Sequence, residues 1–305
     1  MKKNNHQPYI FHSIAEMNKA LGMPPPAHPL IALNDYKDIS GDISDIAKGM
    51  LMDFYKISYK KHLSGKIRYG QHHYDFNEGG LSFISPNQLI AEDESNGECE
   101  GFTLLIHPDF FRGYALAANI KNYGFFSYAA NEALQLSEKE KETLLGVFKN
   151  IGDELQHRLD KFSQDVIISQ IELLLNYSNR FYNRQFITRS AVNHDILTQM
   201  ETLLEDYFNA RNGMEKGLPT VQYLADAMHV SPGYLSDLLR SLTGLNAQQH
   251  IHQKMIEKAK IILSGSNLSV AEIAYQLGFE HPQSFSKIFK RKTNQTPVEF
   301  KQSLN

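Results

Sequence analysis

Four basic residues stand close together near the C-terminus of the chain, at Lys287, Lys290, Arg291 and Lys292. Lysine and arginine bind phosphate, and such a cluster is the electrostatic footprint of a nucleic-acid surface. A solvated helix face would have the same composition. Which alternative holds depends on the element that carries the cluster.

Polar residues near this cluster and in an earlier segment match the edges of DNA bases. Gln283 can pair with adenine N6 and N7, and Lys287 can donate to guanine O6 and N7. Asp237 repels phosphate but can accept a hydrogen bond from cytosine N4. Gly233 presents no side chain, which favours a close approach of the helix backbone to DNA over base readout. We therefore expect two DNA sites, the first of which binds more weakly or reads different bases.

These residues belong to the two copies of an internal repeat, 219–247 and 268–297. The copies align with an offset of 49 before a turn and an offset of 50 after it, where Pro232 corresponds to Pro282. Each copy predicts a short helix, a tight turn and a second helix, which is the helix-turn-helix arrangement. An αα-hairpin without a DNA role shares part of this pattern. Repetition that keeps its register through the turn favours DNA binding.

Helix start and stop signals agree with this arrangement. Ser231 is a predicted N-cap before Pro232, and Gly244 follows the last turn as a C-terminal glycine does. In the second copy, Ser269 and Glu272 form a capping box. Gly278 permits the sharp turn. The second helices of the copies, called recognition helices here, are predicted at about 232–242 and 283–292, with a connecting helix at about 247–263.

The two copies of the repeat resemble the motifs of a known family. The motifs LADAMHVSPGYLSDLLRSLTG and IAYQLGFEHPQSFSKIFKRKTNQTPVEF look like those of the AraC/XylS family of bacterial transcription regulators, over residues 196–302. Asn294 stands where the family usually has Gly, and Asn tolerates the left-handed conformation. Lys254 stands where Arg is common, and a lysine can still contact phosphate. The resemblance implies a sequence-specific DNA-binding regulator, with RNA polymerase as a further partner.

We predict that the two recognition helices enter successive major grooves of double-stranded DNA, with centres about 34 Å apart. Affinity should come mainly from phosphate contacts, and base readout from residues near the helix starts. The predicted DNA-binding residues are Gly233, Tyr234, Ser236, Asp237, Arg240, Gln283, Ser284, Ser286, Lys287, Lys290 and Arg291.

The N-terminal half has short β-like segments at 51–63, 66–76, 81–90 and 101–110. Such spacing is typical of a small antiparallel barrel or sandwich. The segment LSFISPNQ is loosely similar to the cupin-like sensor domains of the same family, which implies a small-molecule effector. Candidate lining residues are Tyr55, Tyr59, Tyr69, Phe76 and Phe83, although core packing is the alternative role for most of them.

Helical periodicity follows the predicted strands. Ser137 and Glu140 form a capping box. An apolar stripe then runs from residue 144 to 181 and includes Phe162. The stripe predicts a helical hairpin that either packs on the barrel or pairs with a second copy of the chain. We favour a homodimer.

The predicted fold class is α+β with two domains. An N-terminal cupin-like antiparallel β-barrel with a helical hairpin is followed by an all-α domain with two helix-turn-helix motifs. Residues 215–305 carry ten basic and seven acidic residues, whereas residues 1–214 carry the other 21 basic and 27 acidic ones. The predicted boundaries are an arm at 1–30, a sensor and dimerisation domain at 31–185, a linker at 186–195, and a DNA-binding domain at 196–305.

The alternative function is a cupin-type metal enzyme with an accessory helical domain. Such enzymes resemble a pattern with an HxH pair, a following Glu and a later His. Here His72 and His73 are adjacent and point to opposite faces of a strand. Glu78 follows, and the next histidine after it is His107. We therefore predict no metal site, no cofactor and no catalysis.

Composition excludes other classes. Cys99 is the single cysteine, so an intramolecular disulfide or a zinc site of paired cysteines is impossible. The N-terminus lacks the apolar stretch of a secretory signal, and no run reaches the length of a membrane span. We expect a soluble, cytoplasmic protein without a membrane partner.

Overall fold

The chain forms two compact units, Met1–Gln185 and Phe186–Asn305. A computed structural model describes their residues over these ranges: 8–41, 46, 49–61, 67–69, 72–74, 79–90, 100–129, 132–157, 160–188, 190–210 and 213–303.

The first unit is built on a five-stranded antiparallel sheet with the order β2-β8-β4-β7-β9. The inner strand β8 pairs with β2 on one side and with β4, the central strand, on the other, so Leu104 lies opposite both Leu33 and Ile57. The short strands β1 and β3 pair in parallel, and β5 and β6 form an antiparallel hairpin. The strands are β1 Tyr9–Phe11, β2 Ile31–Asp35, β3 Met50–Met52, β4 Tyr55–Lys60, β5 Ile67–Tyr69, β6 His72–Tyr74, β7 Gly80–Ile84, β8 Gly101–Ile106 and β9 Leu134–Gln135.

The two faces of this sheet differ in chemistry because side chains alternate along each strand. One face is apolar and aromatic, and Phe102 on it packs against Phe148 of a covering helix at 4.8 Å between ring centres. The other face carries buried polar side chains at its centre. Ser58 and Thr103 hydrogen-bond each other there at 3.2 Å, and Lys56 is 4% exposed.

The helices of the first unit are α1 Ile14–Ala20, α2 Ala115–Asn119, α3 Glu138–Gln156 and α4 Ser163–Thr188, the last of which crosses the boundary between the units. The predicted capping box at Ser137 is confirmed. The predicted stripe is buried at Leu144, Phe148 and Ile151. Phe162 is an exception: it stands just before α4, its side chain is 58% exposed, and the stripe breaks there because the chain turns between two helices.

The segment predicted as an irregular linker is helical. Helix α4 includes residues 186–188, and α5 begins at Ser190. The segment contains neither Gly nor Pro, so nothing in its backbone chemistry stops a helix.

The second unit is helical throughout its described residues. Two cores form, one below each half of the repeat, and the connecting helix α9 contributes to both: Ile251 to the first, Met255 and Ala259 to the second. The connecting helix therefore packs on both halves of the repeat. The helices are α5 Ser190–Asn209, α6 Gly213–Lys216, α7 Val221–Ala227, α8 Pro232–Thr243, α9 Ala247–Gly265, α10 Val270–Gln276, α11 Pro282–Thr293 and α12 Pro297–Gln302.

The protein is therefore of mixed α+β class, with an antiparallel sheet and a helical C-terminal region. Among the described residues, every helix is too short or too polar to cross a lipid bilayer.

Candidate nucleic-acid interface

The first motif consists of α7 and the recognition helix α8. The hydroxyl oxygen of Thr220 accepts a hydrogen bond from the amide of Tyr223, which caps α7. The Ser231 hydroxyl accepts from the amide of Tyr234 at 3.2 Å, and Pro232 is the first residue of α8. The helix ends at Gly244, which has φ 79°. The predicted cap and stop residues of this motif are confirmed.

The second motif, α10 and α11, repeats these features with different residues. Ser269 and Glu272 form the predicted capping box before α10. Pro282 begins α11, and the carbonyl of His281, rather than its side chain, accepts from the Ser284 amide at 3.0 Å. Asn294 ends α11 with φ 62°, so asparagine takes the left-handed conformation that glycine takes in the first motif.

The turns inside the motifs share one backbone conformation. His229 and Gly278, which are equivalent, have φ 58° and 96°. The amide of the next residue bonds back to a helix carbonyl in both copies, from Val230 to Ala225 at 3.0 Å and from Phe279 to the equivalent alanine at 2.9 Å. The same sharp turn therefore sets the position of both recognition helices.

The repeat continues beyond the recognition helices. The hydroxyl of Thr243 donates to the carbonyl of Leu239 at 2.8 Å, and that of Thr293 donates to the carbonyl of Phe289 at 2.9 Å. Capping boxes then start the next helices, at Asn246 before α9 and at the equivalent threonine before α12. The positions of α9 and α12 after their recognition helices are thus specified by the same local chemistry.

The outer face of α11 is strongly basic. Phe285 and Phe289 are fully buried beneath the helix, which turns the opposite face to solvent. Ser286 is half-buried at the edge of that face. The exposed residues are Gln283, Ser284, Lys287, Lys290, Arg291 and Lys292. The predicted DNA-binding residues of the second motif therefore share one accessible surface, apart from the half-buried Ser286.

The outer face of α8 is different. Arg240 is exposed and forms an ion pair with Asp237 at 2.5 Å, and Gly233 and Ser236 are half-buried. Tyr234 was predicted to contact DNA, and the structure corrects this. Its side chain is 3% exposed, and its ring packs edge-on against the ring of Phe186, with 5.2 Å between the ring centres. A large aromatic side chain in the first helical turn gains more from burial than from solvent exposure. Tyr234 is therefore a packing residue in this structure.

The connecting helix holds an ion-pair cluster that the sequence analysis missed. Glu205 of α5 binds Lys254 at 2.5 Å and also binds Lys258. Hydrogen bonds from these two lysines lower the pKa of Glu205 to about 2. Lys254, predicted to contact phosphate, is thus paired within the protein. The spacing of four between the lysines was the available signal, because it places both on one face of α9.

His252 of the same helix lies near the C-terminal end of α11. Burial lowers the pKa of His252, and the positive charges of Lys292 and Arg291 lower it further. The histidine is therefore held neutral next to the basic cluster.

Three of the predicted effector-lining residues, Tyr55, Tyr59 and Phe83, lie on the same face of the sheet. Tyr55 and Phe83 lie on the aromatic face of the sheet, each within 6 Å of the Phe126 ring centre. Tyr59 packs against Phe102 at 5.2 Å and lines an open cleft of about 690 Å³. The side chain of Tyr69 and all of Phe76 lie outside the described residues.

The histidines considered for a metal site belong to different elements of the first unit. His72 and His73 are in β6, and their side chains, like Glu78 and Cys99, lie outside the described residues. The Nδ1 atom of His107 accepts from the Asp109 amide at 3.2 Å in a 3-10 turn. In the part of the chain that the structure describes, no three His, Cys, Asp or Glu side chains are grouped to hold a metal ion.

Comparison with known proteins agrees with the geometry of the second unit. Residues 224–303 match the sequence profile of a family described as "Helix-turn-helix domain". The chain is 25% identical over 257 residues to the HTH-type transcriptional activator RhaS of Salmonella dublin, covering 82% of this chain and 86% of that relative. These matches support the expected resemblance to the AraC/XylS family of transcription regulators. The expected family resemblance is thereby confirmed.

Two solved structures are similar to about a third of this chain. The C-terminal domain of the response regulator yesN from Fusobacterium nucleatum has 30% identity and a TM-score of 0.29, covering 33% of this chain and 96% of that one. An AraC-type transcriptional regulator from Chromobacterium violaceum has 20% identity and a TM-score of 0.32, covering 37% and 96%.

Proposed function

We propose that the protein is a transcription regulator that binds double-stranded DNA in a sequence-specific manner, with α8 and α11 in successive major grooves. The observation that carries this proposal is the basic outer face of α11, presented by a buried Phe285–Phe289 ridge within a repeated helix-turn-helix. Helix α9 packs on both motifs and supports a fixed separation, for which we propose one helical turn of DNA, about 34 Å.

The test is a binding assay followed by mapping of genomic sites. We expect the full chain to shift DNA from the promoter beside its own gene, with an affinity that falls steeply with salt because phosphates are neutralised. Chromatin mapping in the native host should place the protein at a limited set of promoters. Weak binding that is equal on all sequences would contradict the proposal.

We also propose that the first unit is the sensor domain, with a cupin-like sheet, and that it binds a small-molecule effector. The cleft beside Tyr59 supports this role, because it is lined both by the aromatic ring of Phe102 and by the ion pair Lys61–Glu100 at 2.9 Å. Screening metabolites by thermal shift, with Tyr59→Ala as the variant, tests the site. A ligand whose stabilisation survives that substitution would place the effector elsewhere.

We also propose a homodimer, but one that forms through a surface other than the apolar stripe predicted from the sequence. The predicted stripe is already buried inside the first unit, so its packing is satisfied within one chain. Phe162, Val166 and Leu173 are exposed at the start of α4 and along it, and we propose that they contact a second copy. Mass measurement in solution of a Val166→Asp/Leu173→Asp variant tests this; an unchanged dimer would exclude the surface. Contact with RNA polymerase stays a prediction.

A further inference from the structure

The outer side of α8 carries one pair of charged side chains. Asp237 and Arg240 are one helical turn apart, and carboxylate Oδ1 lies 2.5 Å from a terminal guanidinium nitrogen. Their side chains are 27% and 54% exposed. They are the only ionisable side chains with a formal charge at neutral pH between Pro232 and Thr243, so the helix has no net charge.

The pair retains hydrogen-bonding capacity beyond its own contact. A guanidinium has five N–H donors in a planar fork, so one bond to Asp237 leaves enough donors for two parallel bonds to a further partner. A carboxylate has about four acceptor positions, so it can accept more than the bond from Arg240. The pair therefore presents two donors and an adjacent acceptor as a pre-oriented unit.

This pattern is complementary to one kind of base pair. In the major groove a G·C pair presents two acceptors, guanine N7 and O6, next to one donor, cytosine N4–H. An A·T pair presents an acceptor, a donor and an acceptor, followed by a methyl group. Two donors beside an acceptor match the G·C edge and leave an unmatched group at an A·T edge.

We propose that Asp237 and Arg240 together read a G·C base pair, with Arg240 donating to guanine and Asp237 accepting from cytosine. The proposal rests on the function proposed above. The other outward positions near the start of α8 are Gly233, which has no side chain, and Ser236, whose side chain is short. Neither would block the approach of Asp237 and Arg240 to a base pair. In the second motif the equivalent residues are Lys287 and Lys290, which are point charges without a fork.

The test is selection of binding sites from randomised duplex DNA by the full chain, compared with the variants D237N and R240Q. Wild type should select two half-sites, and one of them should contain an invariant G·C pair. R240Q should lose the preference at that pair, D237N should reduce it, and both should keep the other half-site. In anisotropy titrations, changing that pair to A·T should weaken the wild type about tenfold, D237N by less, and R240Q hardly at all.

A charge-matched comparison separates base readout from phosphate binding. The double variant D237N/R240Q keeps the net charge, so its salt dependence should equal that of the wild type while its G·C preference is lost. The variant Lys290→Gln, at the position equivalent to Arg240, should weaken every sequence alike and reduce the salt dependence. Circular dichroism melting of each variant checks that the fold is retained.

The outcomes distinguish this proposal from the function on which it rests. If the variants keep the G·C preference, or if D237N strengthens binding equally on all sequences, the pair does not read bases and the regulator assignment stands. If the wild-type chain selects no sequence at all, both proposals fail.

Discussion

The two helix-turn-helix motifs have nearly the same backbone and very different surfaces. Both have a capped first helix, a left-handed turn residue and a proline at the start of the recognition helix. In both, a threonine hydroxyl at the end of that helix donates to a backbone carbonyl one turn earlier. Helix α8 carries no net charge, whereas α11 carries four basic residues and no acidic one. Local backbone chemistry is therefore repeated where the fold requires it, and the exposed faces, which the fold does not constrain, have diverged.

The largest expected difference between the motifs is in their turns. A Cβ atom on Gly278 would lie 2.4 Å from the backbone carbon of Gly217, whereas His229 already carries a side chain at the same position. We predict that Gly278→Ala lowers the free energy of unfolding by more than about 3 kcal/mol, because backbone must move and φ is positive. Denaturant unfolding of the full chain measures this.

The control is His229→Gly, which should change the free energy of unfolding by less than about 1 kcal/mol, since the backbone already takes this conformation. Equal effects of the two substitutions would show that the turns are not packed differently.

The next effect concerns base readout at the start of the recognition helices. Gln283 occupies the position equivalent to Gly233. Gln283→Gly should make the second motif resemble the first and relax the preference for adenine at one position by about 1–3 kcal/mol. Titration against operators that differ at single bases measures it. Equal losses on every base variant would mean that Gln283 contributes only to general affinity.

The charge difference predicts a smaller and uniform effect. Lys290→Ala should weaken binding to all sequences and reduce the salt slope by about one unit. Lys260 near the end of α9, whose ammonium lies 5.8 Å from the Phe300 ring centre, provides a control of equal charge. Lys260→Ala should leave the slope unchanged. An unaltered slope for Lys290→Ala would remove that residue from the phosphate contacts.

The smallest predicted effect concerns the support of the connecting helix. Because the pKa of Glu205 is lowered from 4.5 to about 2, its carboxylate stabilises the folded chain above pH 4.5, and this contribution is lost as the pH falls towards 2. The side chain is 38% exposed, so screening limits the gain to about 1 kcal/mol or less.

Glu205→Gln should therefore lower the melting temperature slightly at neutral pH and not at pH 2. In the second motif the equivalent support is of another kind, since Lys301 donates to the carbonyls of Ser266 and Leu268. A difference between wild type and Glu205→Gln that did not shrink with acid would mean that the ion pairs do not stabilise the fold.

The second unit was predicted more completely than the first. Its recognition helices begin within one residue of the predicted bounds and end within one, because N-caps, Pro232, Pro282 and the left-handed stop residues act over a few neighbouring positions. The parallel pairing of β1 with β3, by contrast, depends on residues about 40 positions apart and has no local signal.

Side-chain environments were the least predictable feature. Tyr234 and its equivalent Ser284 have the same place in their helices, yet the tyrosine is buried against Phe186 and the serine is exposed. Lys254 was predicted to contact phosphate, but in the structure its ammonium group is paired with the carboxylate of Glu205. Each outcome depends on a residue from a distant part of the chain.

The sequence by itself determined the twin motifs, their caps and turns, and the family, since these follow from short-range hydrogen bonding and from repetition in register. Only the tertiary structure decided which side chains are available: it buried Tyr234, paired Lys254 and joined Asp237 to Arg240. The physical reason is that burial and ion pairing depend on distances between elements, which local pattern does not encode.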